Sequence, residues 1–169
     1  MDDNYVQQSK EIYETALVEY ERHYFERNTG GFVLIHKNHN TSLSEIFIAE
    51  VLARQGKRVT LLSEQLATGG KVPDAEIDGQ FWEFKELSTA TNIRGATQRD
   101  IREGRKQARN IAYHINQDYD ISRINAGIES AIRFDEQRLL EKITLIFNNG
   151  QSETLTREDI ENGERFQGF

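Results

Sequence analysis

Two carboxylates and one amine are spaced so that a β-hairpin would bring them together. They are Asp74, Glu83 and Lys85. Asp78-Gly79, between them, is favoured in two-residue type I′ turns because both central positions of that turn need a positive φ. If the turn falls there, Asp74 lies directly opposite Glu83 on the paired strand. We therefore predict two carboxylates side by side, an arrangement that is costly without a cation.

Lys85 completes this group because it follows Glu83 by two residues. Strand alternation places both side chains on one face, whereas the aromatic residues on either side of Glu83 point to the other face. Converging carboxylates beside an ammonium suit a hard divalent cation that grips a phosphate and activates a water. Pro73, the single proline, lacks an N–H donor and is expected at the first residue of a strand. The spacing thus indicates metal-assisted phosphodiester chemistry.

The elements that must position this hairpin follow from hydrophobic periodicity and turn residues. The pattern predicts helices over residues 2–28, 41–55, 98–116 and 121–140, and strands over 32–35, 57–63, 143–147 and 151–155. Asn149-Gly150 is expected to turn between the last two strands, and Thr156 to cap a short terminal helix. Residues 65–70 are expected to form a loop in which Thr68-Gly69-Gly70 lets the backbone approach a ligand.

This order of elements predicts an α/β fold with a mixed central β-sheet flanked by helices. The length of 169 residues suffices for one domain with a sizeable core. We expect residues 30–169 to form that domain, and residues 1–29 to form an N-terminal helix that packs on it or leads into it. Cys is absent, which excludes disulfides and Cys-based zinc sites.

A basic segment follows the hairpin in an otherwise acidic protein. Residues 94–109 hold six basic and two acidic side chains, whereas the whole chain has a net charge of −7. Guanidinium groups bind phosphates bidentately, so a row of them can follow a nucleic-acid backbone. The predicted substrate-binding residues on helix 98–116 are Arg99, Arg102, Arg105, Lys106, Gln107 and Arg109. The alternative is a solvated helix face on which Asp100 and Glu103 pair with these cations.

A family resemblance rests on the same residues. Pro73-Asp74 followed by Glu83-Phe84-Lys85 resembles the PD-(D/E)XK nuclease signature. The Gly79-x-x-Trp82-Glu83-x-Lys85 run is most similar to the C-terminal tRNA-nuclease toxin domains of contact-dependent growth inhibition (CdiA) proteins. The resemblance implies a restriction-endonuclease-like core and a toxin that cleaves tRNA with a divalent metal, Mg²⁺, with Mn²⁺ or Zn²⁺ as alternatives.

The resemblance also implies residue roles. Asp74 and Glu83 would bind the metal, and Lys85 would orient the attacking water and neutralise charge in the transition state. A glutamate on the helix before residues 57–63 would complete the metal site; we choose Glu45, with Glu50 as the alternative. Ser42 lies three residues before Glu45, so a capping box explains that acid equally well.

Hydroxyl-bearing residues after the hairpin are further candidates for substrate contact. Ser88 and Thr89 would end the strand that carries Glu83, where hydroxyls can hold phosphate oxygens or a ribose. The resemblance to the toxin domains supports this role, and the alternative is a polar loop that caps the next helix.

His36 and His39 form a His-x-x-His pair, which we interpret as part of a solvated loop rather than as a zinc site.

Three alternatives remain open from the sequence. The enzyme could cleave DNA with the same fold, or RNA by attack of its own 2′-hydroxyl without metal, with Lys85 and the carboxylates as acid and base. A non-catalytic nucleic-acid or protein-binding module would keep these residues as a surface ion cluster.

The toxin resemblance also implies a cognate immunity protein, and delivery to a bacterial cytoplasm as the C-terminal part of a larger exported protein. No apolar run approaches the length of a membrane span, so we expect a soluble domain.

Overall fold

The computed structural model describes residues 2–65 and 72–169. This part of the chain contains five helices and eight strands, and the chain divides into two compact units, Met1–Phe81 and Trp82–Phe169. None of the helices among the described residues is long and apolar enough to cross a membrane. The loop predicted at Thr68-Gly69-Gly70 lies outside the described residues.

The first unit is built on a mixed four-stranded arrangement. Its elements are α1 (Asp3–Glu14), β1 (Tyr20–Phe25), β2 (Phe32–His36), α2 (Leu43–Arg54), β3 (Arg58–Leu61) and β4 (Ala75–Ile77). β1 is antiparallel to β2, β2 is parallel to β3, and β3 is antiparallel to β4. Residues 32–35 of β2 are fully buried, as their continuous apolar run predicts. Pro73 lies two residues before β4 rather than at its first position.

The N-terminal segment differs from the predicted helix over residues 2–28. α1 ends at Glu14, and the chain returns as β1, whose Tyr20 pairs with His36 of β2. The Tyr20 and His36 rings meet edge to face with centroids 5.0 Å apart. Tyrosines spaced by four fit a helix. Pairing with β2 satisfies the backbone hydrogen-bonding groups of these residues instead, and this tertiary contact overrides the local pattern.

The second unit contains most of β5 (Gln80–Leu87), because the boundary between the units falls inside this strand. The later elements are α3 (Ile93–Gly104), β6 (Asn110–Ile115), α4 (Ile121–Arg133), β7 (Lys142–Phe147), β8 (Ser152–Thr156) and α5 (Arg157–Glu161). β5, β6 and β7 run parallel, and β8 is antiparallel to β7. The predicted mixed α/β class is confirmed, whereas the restriction-endonuclease-like core and the domain boundary at residue 30 stay predictions.

The predicted helix 98–116 is wrong in both bounds. Asn92 caps α3 by accepting a hydrogen bond from the Gly95 amide, so the helix begins earlier and ends at Gly104. Residues 110–115 instead form β6, in which every residue is buried between β5 and β7. A strand buried on both faces has no alternation that distinguishes it from a helix. The basic segment is therefore split between a helix and the turn after it.

Other predicted elements agree more closely with the structure. Ser42 caps α2, and Thr156 caps α5 in a full capping box with Asp159. β7 and β8 flank the predicted turn, in which Gly150 has a φ of +85°. α4, however, ends at Arg133 rather than at residue 140, because the next residues wrap around the buried side chain of Asp135.

Asp135 is the buried centre of the loop after α4. Its carboxylate accepts hydrogen bonds from Arg105 (2.8 Å), Arg157 (2.6 Å) and the amides of Leu139 (3.1 Å) and Leu140 (2.9 Å). Burial alone would raise the pKa of Asp135, but these donors outweigh it and hold the pKa below the usual range of an aspartate. The group therefore stabilises the second unit as a charged carboxylate.

Asp135→Asn should lower the free energy of unfolding at neutral pH by about 3–5 kcal/mol, because two arginines lose their buried counter-charge. A group with a depressed pKa stabilises the fold above its unfolded pKa and loses that contribution as the pH falls through its folded pKa. The difference between Asp135→Asn and the wild type should thus shrink as the pH falls below the usual pKa of an aspartate, about 3.9, and through the lowered pKa of Asp135. Denaturant titrations across pH test this, with the exposed Glu136→Gln as the neutral control.

The contact between α3 and α4 depends on Gly127. A Cβ at this position would lie 2.6 Å from the Arg94 carbonyl oxygen and 2.7 Å from Thr97 Cβ. The Gly127 backbone therefore packs directly against the Arg94 carbonyl and the Thr97 side chain of α3.

Gly127→Ala should destabilise the second unit by about 1–3 kcal/mol, the usual cost of overpacking a close contact. Thermal unfolding of this variant beside Arg123→Ala, an exposed change on the same helix, measures the effect. Equal melting temperatures for both variants would contradict the backbone contact.

Candidate functional site

The turn predicted between the candidate carboxylates is present. Asp78 and Gly79 both have positive φ, +50° and +85°, with β4 ending at Ile77 and β5 beginning at Gln80. This is the geometry of a type I′ turn. Asp78 Oδ1 also accepts a hydrogen bond from the Arg58 amide at 3.2 Å, which anchors the turn to β3.

Glu83 and Lys85 lie beside each other on β5 in the second unit. Lys85 Nζ is 4.0 Å from Glu83 Oε2, and only 4% of Glu83 is exposed. Trp82 and Phe84 are buried as well. A carboxylate with so little solvent is costly unless positive charge compensates it. The predicted placement of Glu83 and Lys85 on one face is thus confirmed, and it brings a buried carboxylate and an ammonium group together.

The Lys85 side chain reaches the end of α3 at Gly104. A Cβ built on Gly104 would lie 3.6 Å from Lys85 Cε, an ordinary contact, and 2.9 Å from Ile111 Cδ1, which is too close. The absence of a side chain at position 104 therefore makes room for Ile111, with the lysine stem beside it. This contact places Lys85 next to the helix that carries Arg99 and Arg102.

The loop after β5 lines a cavity of about 410 Å³. Its lining includes the predicted substrate contacts Ser88 and Thr89 together with Arg99. Thr89 has a φ of +54°, and the Gln117 side chain bonds both the amide and the carbonyl of Ala90, at 2.7 and 3.0 Å. These two hydrogen bonds therefore hold the loop in one conformation.

Arg99 connects this cavity to a second one of about 400 Å³. Its guanidinium donates to Asp100 Oδ1 at 3.2 and 3.4 Å while most of the side chain stays exposed. The other Asp100 oxygen accepts a hydrogen bond from the buried Tyr113 hydroxyl at 2.7 Å. Burial, followed by the charge of Asp100, raises the pKa of Tyr113 and keeps it a hydrogen-bond donor.

The predicted basic set separates into three groups. Arg99, Arg102 and Lys106 line the second cavity with Gln98. Arg105 is committed to Asp135, and Arg109 makes a surface ion pair with Glu141 at 3.0 Å. The continuous helix face over 99–109 is therefore wrong, and the positive charge available to a ligand is concentrated around α3. Gln107 lies in the turn after the helix, where its amide bonds the Gly104 carbonyl.

The first unit holds the other predicted carboxylates. Glu45 bonds the Ser42 hydroxyl and, through Oε2, His39 Nε2; Glu50 bonds His23 at 2.9 Å. Asp74 lies just before β4, and its carbonyl accepts a hydrogen bond from the Leu62 amide at 3.0 Å. Both candidate glutamates have local partners, so the choice of Glu45 over Glu50 stays a prediction.

The interpretation of His39 as part of a solvated loop is wrong. Its side chain is fully buried, and Nδ1 is 2.6 Å from the carbonyl oxygen of Leu62, which can only accept. Burial lowers the pKa of His39, but the Glu45 carboxylate and this carbonyl outweigh it and raise the pKa. His39 thus links Glu45 to the residue that anchors Asp74. The His-x-x-His spacing carried no signal for this contact.

The carboxylate oxygens of the predicted ligands suit Mg²⁺, which prefers carboxylates and water. Within residues 2–65 and 72–169, however, no three His, Asp or Glu side chains are grouped so as to hold a metal ion. The ligand set of Asp74, Glu83 and Glu45 therefore stays a prediction from the sequence.

Comparisons with known proteins show that the chain is similar to one kind of toxin domain. The family described as "Contact-dependent growth inhibition CdiA C-terminal domain" matches residues 71–152, just under half of the chain, including Asp74, Glu83, Lys85 and α3. Curated proteins give no match. A solved structure, "CdiA-CT/CdiI toxin and immunity complex from Burkholderia pseudomallei", is 25% identical with a TM-score of 0.51. The match covers 67% of this chain and 84% of that one, so the chain is similar to a CdiA C-terminal toxin domain.

Proposed function

We propose that this chain is a metal-dependent nuclease that cleaves RNA, with tRNA as the favoured substrate, and acts as a toxin domain of the CdiA C-terminal type. The observation that carries the proposal is the buried Glu83 beside Lys85, packed under a helix whose exposed cations line two cavities. A carboxylate that can bind a metal ion and a positive surface that attracts phosphate are two features that metal-assisted phosphodiester cleavage uses.

Four candidate site residues of the second unit have the following roles in this proposal. Arg99 grips a phosphate of the RNA backbone with its guanidinium, which Asp100 orients. Ser88 and Thr89 donate their hydroxyls to phosphate or ribose oxygens. Lys85 donates to the scissile phosphate and stabilises the charge that develops there during attack by water. Charge stabilisation of this kind is effective because Lys85 is largely shielded from solvent.

Glu83 is the proposed metal ligand of β5. The PD-(D/E)XK pattern assigns Asp74 and Glu45 as the further carboxylates, with Glu50 as the alternative to Glu45. A bound Mg²⁺ supplies Lewis-acid polarisation of the phosphate. Mn²⁺ or Zn²⁺ could take its place.

The biological setting is part of the same proposal. The similar solved structure is a toxin and immunity complex, which supports a cognate immunity protein for this chain as well. Delivery as the C-terminal part of a larger exported protein would bring the domain to tRNA in a bacterial cytoplasm. The immunity protein would then protect the producing cell by covering the cationic cavities or the carboxylates.

Lys85→Ala and Glu83→Gln should each lower the initial rate of tRNA cleavage by about a hundredfold or more, because each removes charge from the reacting centre. The matched control is Glu86→Gln, an exposed acid of the same strand that bonds Asn116 at 2.8 Å. Circular dichroism and melting temperature establish that each variant is folded. Full activity of folded Lys85→Ala would overturn the assignment.

A chelator tests the proposed metal dependence, and a change of substrate tests the proposed preference for RNA over DNA. EDTA should abolish cleavage and added Mg²⁺ restore it, whereas activity that survives EDTA would indicate metal-free attack by the 2′-hydroxyl. Plasmid DNA should remain intact under conditions that cleave total tRNA; cleavage of DNA alone would make the protein a DNA endonuclease.

Arg99→Ala should weaken RNA binding and reduce the dependence of log Kd on log salt concentration by about one unit, because one phosphate contact is lost. The control is Arg123→Ala, an exposed arginine of α4 that lines neither of these two cavities. Fluorescence anisotropy with labelled tRNA across a salt series measures both slopes. An unchanged slope for Arg99→Ala would remove this residue from the interface.

A further inference from the structure

An aromatic ring lies open to solvent at the end of α4. Phe134, the C-cap residue of this helix, is 58% exposed, although burying a phenyl ring would stabilise the fold. The Arg102 guanidinium lies over the ring, 5.2 Å from its centroid. This distance is within the range of a cation–π interaction. The pair therefore forms an apolar surface that carries a positive charge.

The backbone beneath the ring is held firmly. The Phe134 carbonyl accepts a hydrogen bond from Arg105 at 3.2 Å, and its amide donates to the Ser130 carbonyl at 3.3 Å. The same Arg105 bonds the buried Asp135, which is the next residue in the chain. The ring is thus presented from a rigid base rather than from a free loop, which lowers the entropy lost when a ligand stacks on it.

The neighbouring surface carries more positive than negative charge. Arg102 lines the cavity of about 400 Å³ together with two further cations, Arg99 and Lys106, and one acid, Glu103. Phosphates of a nucleic acid held by these side chains would bring a base within reach of the Phe134 ring. Bases inside a duplex have both faces covered by their neighbours, whereas an unpaired base can stack on an aromatic side chain.

We propose that Phe134 and Arg102 form a stacking platform for an unpaired base of RNA, so that the protein selects single-stranded segments such as loops and ends over duplex. This inference rests on the proposed function for RNA as the ligand and adds the class of RNA. Arg99 and Lys106 bind the backbone of any nucleic acid, and the platform supplies the discrimination.

The test compares binding of an unstructured RNA oligonucleotide with binding of a blunt RNA duplex of the same length. All proteins carry Lys85→Ala to prevent cleavage. Adding Phe134→Ala should weaken binding of the single strand about tenfold, a typical loss for one stacked base, and leave duplex binding unchanged. The salt dependence of binding should also stay unchanged, because no phosphate contact is lost.

Two further variants separate stacking from a general effect on the fold. Phe134→Trp should retain the affinity for the single strand, and the fluorescence of the introduced tryptophan should be quenched by that RNA and not by the duplex. Phe169→Ala removes an equally exposed phenylalanine that lines a different cavity, and should change neither affinity. Melting temperatures are measured for every variant.

Equal losses for single strand and duplex, or no loss for either, would overturn the platform. So would a lack of quenching with Phe134→Trp, even if Phe134→Ala failed to fold. Failure of the parent protein to bind either RNA would instead overturn the proposed function, so the two failures are distinguishable. Normal RNA binding that is insensitive to Phe134 would leave the ring as a surface for a protein partner.

Discussion

Compensation of buried carboxylates by nearby cations is the constraint on which the second unit depends. Glu83, Asp100 and Asp135 are buried, and a buried anion without a partner costs several kcal/mol. Each of them has at least one basic side chain beside it. The positions of these basic side chains are therefore tied to buried acids. The fold and the candidate site thus share one set of interactions.

The three carboxylates use their cations differently. Asp135 accepts hydrogen bonds from four N–H donors, two of which belong to arginines, so Arg105 is held inside the second unit. Asp100 shares its charge between Tyr113 and Arg99, and the arginine still reaches solvent. Glu83 lies 4.0 Å from the Lys85 ammonium on the same strand. The proposed chemistry is placed at Glu83 because this buried carboxylate and its lysine lie beside the helix whose arginines are exposed.

Pairing between distant strands explains why the basic segment is not one helix. Residues 94–109 show a helical spacing of charges, but a helix cannot continue where the chain must supply β6. β6 forms between β5 and β7, and those partners are distant in the sequence. The same reason accounts for β1, whose pairing with β2 replaced a predicted helix, and for His39, whose partners Glu45 and Leu62 come from two other segments.

The sequence by itself determined features that depend on a few neighbouring residues: the Asp78-Gly79 turn, the caps of α2 and α5, the alternation along β5 and the adjacency of Glu83 and Lys85. Turns, caps and strand faces are set by local steric and hydrogen-bonding preferences. Only the tertiary structure decided which arginines are exposed, which are bonded to Asp135, and that Phe134 lies over Arg102 beside a cationic cavity. These contacts join residues about thirty positions apart, and their energies depend on burial, which no local pattern specifies.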